Sequence, residues 1–158
     1  MGHPVFKDHP IFTEPRMTFL DHYAHPHLPN LALIGHVPPV IQIHLLAALA
    51  AFVIGTIQIF GPKGTGLHRI LGWTWVIFMM TVAVSSLFIK IINHGQFSFI
   101  HILSGITLVV VPLLVYAARK KDIRTHRKQA INLYVGALLV AGLFTFLPGR
   151  LMWQMVFG

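Results

Sequence analysis

The sequence predicts an all-α integral membrane protein, a four-helix bundle made of two repeated helical hairpins. Three observations carry this expectation. Of the 158 residues, 55% are hydrophobic and only 10% are charged, whereas a soluble domain usually carries about 25% charged residues. Four apolar stretches each approach the ~20 residues that cross a bilayer core. The first two of these stretches match the second two in where they place their histidines. The length allows one such domain. The chain has no cysteine, which excludes disulfides, thiolate metal sites, iron–sulfur clusters and thioether-attached haem.

Residues 1–39 form the first part. They hold seven of the ten prolines, at Pro4, Pro10, Pro15, Pro26, Pro29, Pro38 and Pro39. Proline removes a backbone donor and disfavours helix before it, so an extended or irregular tail is expected. No apolar run of the kind that makes a cleavable signal peptide lies within it. The transmembrane domain, 40–158, follows. Its first span is expected from Val40 to Phe60, closed by Gly61 and Pro62. The second runs from Leu67 to Ile92, closed by Asn93, His94 and Gly95. The third runs from Phe97 to Ala118 and carries Pro112, a potential kink. The fourth runs from His126 to Leu147 and stops at Pro148 and Gly149. Strands of a membrane barrel would be near 10 residues with alternating polarity; these runs are longer and apolar on all sides. The final segment, Leu151 to Phe157, is expected in the outer interface or against another subunit.

Lysine and arginine set the expected orientation. The first and third loops, with the ends flanking them, carry Lys63, Arg69, Arg119, Lys120, Lys121, Arg124, Arg127 and Lys128. The opposite side carries only Lys7, Arg16, Lys90 and Arg150. The richer side is expected in the cytoplasm, with both termini on the outer, periplasmic side of a bacterial inner membrane. The formal charge of +8 is then a topology signal. A nucleic-acid partner is excluded, because the basic cluster is a short loop at a membrane surface.

The repeat is built around histidines. His44, in Ile43-His44-Leu45-Leu46, corresponds to His101, in Ile100-His101-Ile102-Leu103. His68, in Leu67-His68-Arg69, corresponds to His126, in Thr125-His126-Arg127. The halves are offset by 57 or 58 residues. Each histidine is expected near the start of its own helix. Since the helices alternate in direction, His44 and His101 should lie at the outer side, and His68 and His126 at the cytoplasmic side. One turn after each comes a small residue: Ala48, Gly72, Gly105 and Ala130. Positions i and i+4 share a helix face, so each imidazole would have a shallow surface beside it. Membrane helices also use small residues simply for close packing.

These features suit haem b held between two histidines, one haem or two. Iron takes axial ligands from opposite faces of the ring. Arg69 and Arg127, next to the cytoplasmic histidines, and Arg150 on the outer side are candidate partners for the propionates. Two such groups would give an electron a path across the membrane. The bland alternative is that each histidine merely reaches water at a helix end, and that Arg69 and Arg127 anchor lipid headgroups.

The run Gly66-Leu67-His68-Arg69-Ile70-Leu71-Gly72-Trp73, with His126-Arg127 and Pro148-Gly149-Arg150, resembles a bacterial family of predicted membrane proteins of unknown function. The resemblance covers about residues 40–150 and implies a four-helix membrane protein without an assigned activity. The paired histidines also resemble the plan of the ascorbate-reducible transmembrane cytochromes b, in which a four-helix core holds two haems. That likeness implies one haem between His44 and His101 and another between His68 and His126. The chain departs from it in having four spans rather than six, and histidines closer to the helix starts.

The remaining signals are weaker. Gly61-Pro62-Lys63-Gly64-Thr65-Gly66 lacks the spacing of a phosphate-binding loop and reads as a tight turn. The tail histidines His3, His9, His22, His25, His27 and His36 match no closed metal site. Trp73, Trp75 and Trp153 suit interfacial anchoring. Asp122 is the sole acidic residue outside the tail, so no hydrolytic constellation can be assembled. Three functions are consistent with the residues: a haem-b electron-transfer protein, a non-catalytic accessory subunit of a larger respiratory or photosynthetic membrane complex, and a quinone or metal binder using the same histidines. The lipid bilayer is the one partner common to all three.

Overall fold

The structure, a computed structural model, describes residues 28–29, 32–92, 99–148 and 150–157. The expectations for the tail histidines up to His27, for the Asn93-His94-Gly95 stop and for Gly149 fall outside these residues. Among those described, the chain is helical and contains no strand. A short helix α1, Ala32–His36, precedes the long ones. It departs from the irregular tail expected up to residue 39, and His36 Nδ1 lies 2.9 Å from the Ala32 carbonyl across its single turn.

Helix α2, Pro39–Phe60, begins on a pair of prolines. Pro38 is in extended geometry at the cap and Pro39 takes the first helical position, where a missing N–H costs nothing. The helix ends where Gly61 N–H bonds Ile57 O at 2.7 Å and Pro62 cannot continue it. Gly64, with φ 78°, turns the chain into α3, Gly66–Ile92. Thr65 caps α3 by accepting the His68 N–H at 3.1 Å. Helix α4, Phe99–Arg119, is continuous through Pro112. It closes with the two reversed bonds of a Schellman turn, Asp122 N to Ala117 O and Lys121 N to Ala118 O. Lys121 sits at φ 58°, where glycine is the usual occupant.

Asp122 then caps α5, Ile123–Leu133, by accepting the Thr125 N–H at 3.0 Å. The helical run continues as a π segment, Tyr134–Val140, and α6, Ala141–Phe144. This corrects the expected fourth span of His126 to Leu147. The Asp122 cap starts the helix a turn earlier, and a turn at Thr145, bonded to Gly142 O through both its N–H and its hydroxyl, ends it before Pro148. Helix α7, Leu151–Phe157, folds back so that Trp153 N–H reaches Thr145 O. Its Met155 is buried within the chain, so the terminal segment is at least partly covered by its own protein.

Among the described residues, three helices are long and apolar enough to cross a membrane: Pro39–Phe60, Gly66–Ile89 and Ile102–Arg119. The first, with 22 residues, is roughly 33 Å long, against a hydrocarbon core of ~30 Å. Their packing is inverted relative to a water-soluble protein. Leu46, Val53, Ile57, Phe60, Ile77 and Val109 are exposed, while Ala47, Ala51, Ala83, Ala117, Ser85, Ser86, Ser104 and Thr107 are buried. Lipid already solvates the large apolar side chains, so the interior is left to small and hydroxylated residues that let helices approach. Helix α2 packs on α3, α3 on α4, α4 on α5, and the π segment on both α2 and α4. This order sets α2 opposite α4 and α3 opposite α5.

One close approach organises the centre. Gly55 faces Tyr134 and Trp75, and a Cβ added there would lie 2.6 Å from Tyr134 Cδ2 and 2.9 Å from Trp75 Nε1. The absent side chain lets Trp75 Nε1–H donate to Ala51 O at 3.0 Å. It also lets Tyr134 stack on Phe52 and bond the Thr56 hydroxyl at 2.7 Å. Met79, Val111, Leu114, Leu133 and Leu138 complete this core.

Candidate functional site

The end of the molecule bearing Lys63, Arg69, Arg119, Arg124, Arg127 and Lys128 brings His68 and His126 within electrostatic reach of each other, with Lys63 also near. They come from α3 and α5, which are not sequence neighbours. His68 is fixed by its backbone: its N–H bonds Thr65 Oγ1 and its carbonyl accepts from Gln58 Nε2 at 2.9 Å. Its ring Nδ1 is buried and has no hydrogen-bond partner. Leaving such an atom unpaired costs about 1–3 kcal/mol, so the position calls for an explanation.

His126 is held differently. Its Nδ1 lies 3.2 Å from Leu114 O. A carbonyl only accepts, so Nδ1 carries the proton and the neutral ring keeps its lone pair on Nε2. This is how ligating histidines are commonly oriented, by giving their other N–H to a carbonyl. One turn on, Gln129 Oε1 is also buried without a partner. Two buried polar atoms without a partner therefore lie on His68 and one turn from His126. Among the described residues, no group of three or more His, Asp or Glu can hold a metal ion. A pair of imidazoles alone does not complete the four-coordinate shell of zinc. It does complete an iron whose other four positions are filled by a porphyrin.

Of the other expected pair, His44 alone has a described side chain. The side chain of His101 lies outside the described residues. His44 sits more than one turn inside α2, deeper than a helix start. Its Nδ1 lies 2.9 Å from Ser85 Oγ, whose own proton goes to Val82 O. His44 Nδ1–H therefore donates to Ser85, and the Val82 carbonyl is a further partner for the ring. Beside it, His44, Ser86, Ser104, Thr107, Met79 and Ala137 line a cavity of about 50 Å³. That is room for a water molecule or two and not for a porphyrin. Ser86 and Ser104 hydroxyls bond each other and tie α3 to α4 there.

The four small residues take different places. A Cβ on Gly72 would meet Gln58 Nε2 at 3.2 Å, so the surface beside His68 is covered by that amide. Gly105 is exposed, with nothing within 4 Å of an added Cβ. Ala48 and Ala130 are half-buried, Ala130 against the central core. The arginines lie on the surface. Arg69 and Arg150 are exposed, and Arg127 lines an outer groove with Arg124 and Lys128.

Several site residues were not singled out from the sequence. Gln58 and Gln129 carried a usable signal, since amides are unusual in or beside membrane spans and often bond across helices. Lys63 had been read only as a topology charge. The Leu114 carbonyl had no signal, because a backbone acceptor freed at the right height depends on how α4 meets α5.

Comparison with known families adds the remaining finding. A family model described as predicted membrane protein, DUF2306, matches residues 41–156. The chain belongs to this family. The DUF2306 match starts in the first turn of α2 and ends within α7, so it includes His44, His68, His101 and His126 and leaves out the tail. No curated protein and no solved structure matches the chain.

Proposed function

We propose that this DUF2306 protein is a haem-b-binding membrane protein that moves electrons across or along the membrane, with one iron between His68 and His126. The observation that carries the reading is the buried, unpartnered Nδ1 of His68 near His126, whose tautomer the Leu114 carbonyl fixes. When bound, haem would supply reversible one-electron chemistry. The protein's part is to present two neutral imidazoles, to exclude water through the packed layer of Trp75, Leu114 and Leu133 beneath them, and to place Lys63 where it can offset propionate charge. One haem per chain is proposed, because His68 and His126 are the pair whose side chains are both described.

The run 123–144 is taken as the fourth span, completing two hairpins, α2 with α3 and α4 with the fourth run. The basic end then faces the cytoplasm of a bacterial inner membrane, and both termini face the periplasm. The test is a haem assay on full-length protein purified from haem-replete cells. One haem per chain is expected, and its absence would remove the reading. A second reading has its own support: the buried Gln129 Oε1 would accept a hydrogen bond from a quinol hydroxyl or a metal-bound water. Lipid-extract mass spectrometry and metal analysis on the same sample separate these, since either ligand would be found without haem. Assembly into a larger complex rests on the tail and α7, and predicts co-purifying subunits in mild detergent.

A further inference from the structure

Arg124, Arg127 and Lys128 line a single open groove of about 520 Å³, with Ile123 and Ile131 as its apolar walls. All five side chains are exposed. Positions 124, 127, 128 and 131 recur at the spacing that places them on one helix face. No carboxylate lines the groove. The nearby Asp122, the sole acid outside the tail, is held by Thr125 as the cap of α5. Three cations therefore share one exposed face of α5 with no built-in counter-charge.

We propose that this groove binds the phosphate of an anionic phospholipid from the surrounding bilayer. Two guanidiniums and an ammonium offer a phosphate both bidentate hydrogen bonds and point charge. The order of residues along the chain then matches the order of groups in a phospholipid. The cations come first, at the basic end. Ile131, Val135, Leu139 and Leu143 follow along the helical run, the last three 43%, 40% and 64% exposed, in the direction an acyl chain would take. The charge complementarity selects an anionic headgroup over a zwitterionic one, whose ammonium would be repelled. This inference rests on the fourth run crossing the bilayer and is independent of the histidine pair; its test reads lipid adducts, not haem.

The experiment is native mass spectrometry of the full chain released from micelles containing equal amounts of phosphatidylglycerol and phosphatidylcholine with identical acyl chains. Preferential phosphatidylglycerol adducts are expected. Each of Arg124→Gln, Arg127→Gln and Lys128→Gln should weaken retention by about 5-fold. The control Arg69→Gln with Arg119→Gln, at the same end but outside the groove, should change it by less than about 2-fold. Circular dichroism on every variant verifies folding, and Arg124→Lys should retain more lipid than Arg124→Gln. Equal retention of the two lipids, or wild-type retention by the single variants, overturns the proposal. Displacement of phosphatidylglycerol by an equimolar amount of inorganic phosphate also overturns it, because the groove would then be a free-anion site.

Discussion

The two ends of the bundle treat a half-buried histidine in opposite ways. In the half away from the basic end, His44 is satisfied from within the protein: its ring bonds Ser85 Oγ, whose own proton goes to Val82 O, and the Ser86 and Ser104 hydroxyls bond each other nearby. At the basic end, His126 is aimed by a carbonyl, while His68 Nδ1 and Gln129 Oε1 are buried with nothing to bond. A polar group in a low-dielectric interior is costly unless paired. Around His44 that cost is met by the protein's own residues. At the basic end two such atoms remain, and the proposed haem is the group that would complete their surroundings.

The largest expected effect concerns the close approach at Gly55. Gly55→Val should drive a side chain into Tyr134 and Trp75 and cost about 3 kcal/mol, read by unfolding in mixed micelles. A variant as stable as wild type would mean that the central packing is not as described. Next comes the sharpest contrast between the ends. His68→Leu removes an unsatisfied atom and should raise the stability of ligand-free protein by about 1 kcal/mol. His44→Leu breaks a made bond and should lower it by about the same amount. Equal signs for the two substitutions would dissolve the distinction between the ends.

Smaller effects come from the turn that feeds the basic end. Lys121 occupies the left-handed conformation that glycine adopts without penalty, so Lys121→Gly should stabilise the protein by about 1 kcal/mol. Loss of stability would show that the Lys121 side chain has a role of its own. The smallest effect is pH-dependent. Hydrogen bonds from the Thr125 side chain, and then from its backbone N–H, hold the Asp122 carboxyl below its ordinary value. A lowered folded pKa means that the cap stabilises α5 above the unfolded pKa and loses that contribution as pH falls through the folded one. Amide exchange at the start of α5 should therefore accelerate in acid in wild type and not in Asp122→Asn.

Much of this was legible in the sequence. Composition and apolar length indicated a helical membrane protein, and the Gly66–Trp73 motif pointed to its family. The first two span boundaries came within a residue, because Pro62 on one side and the Gly66 turn on the other are chemical punctuation. The fourth boundary was missed because polarity at Arg124 and Thr125 masked a helix that Asp122 had already started. The histidine repeat singled out His68 and His126, which the structure brings within electrostatic reach of each other. It could not show that His44 is satisfied by Ser85, since that bond spans 41 residues and depends on how α2 meets α3. Nor could spacing show that Gln58 lies over Gly72, or that Arg127 turns to the outer groove.

The most direct test is an absorption spectrum of the full chain, oxidised and reduced, for wild type, His44→Ala, His68→Ala and His126→Ala, each purified from haem-replete cells. We expect a reducible b-type spectrum in wild type and His44→Ala, and its loss in His68→Ala and His126→Ala. A colourless wild-type protein, or a spectrum that survives both basic-end substitutions, would contradict the assignment of that end as the ligand site.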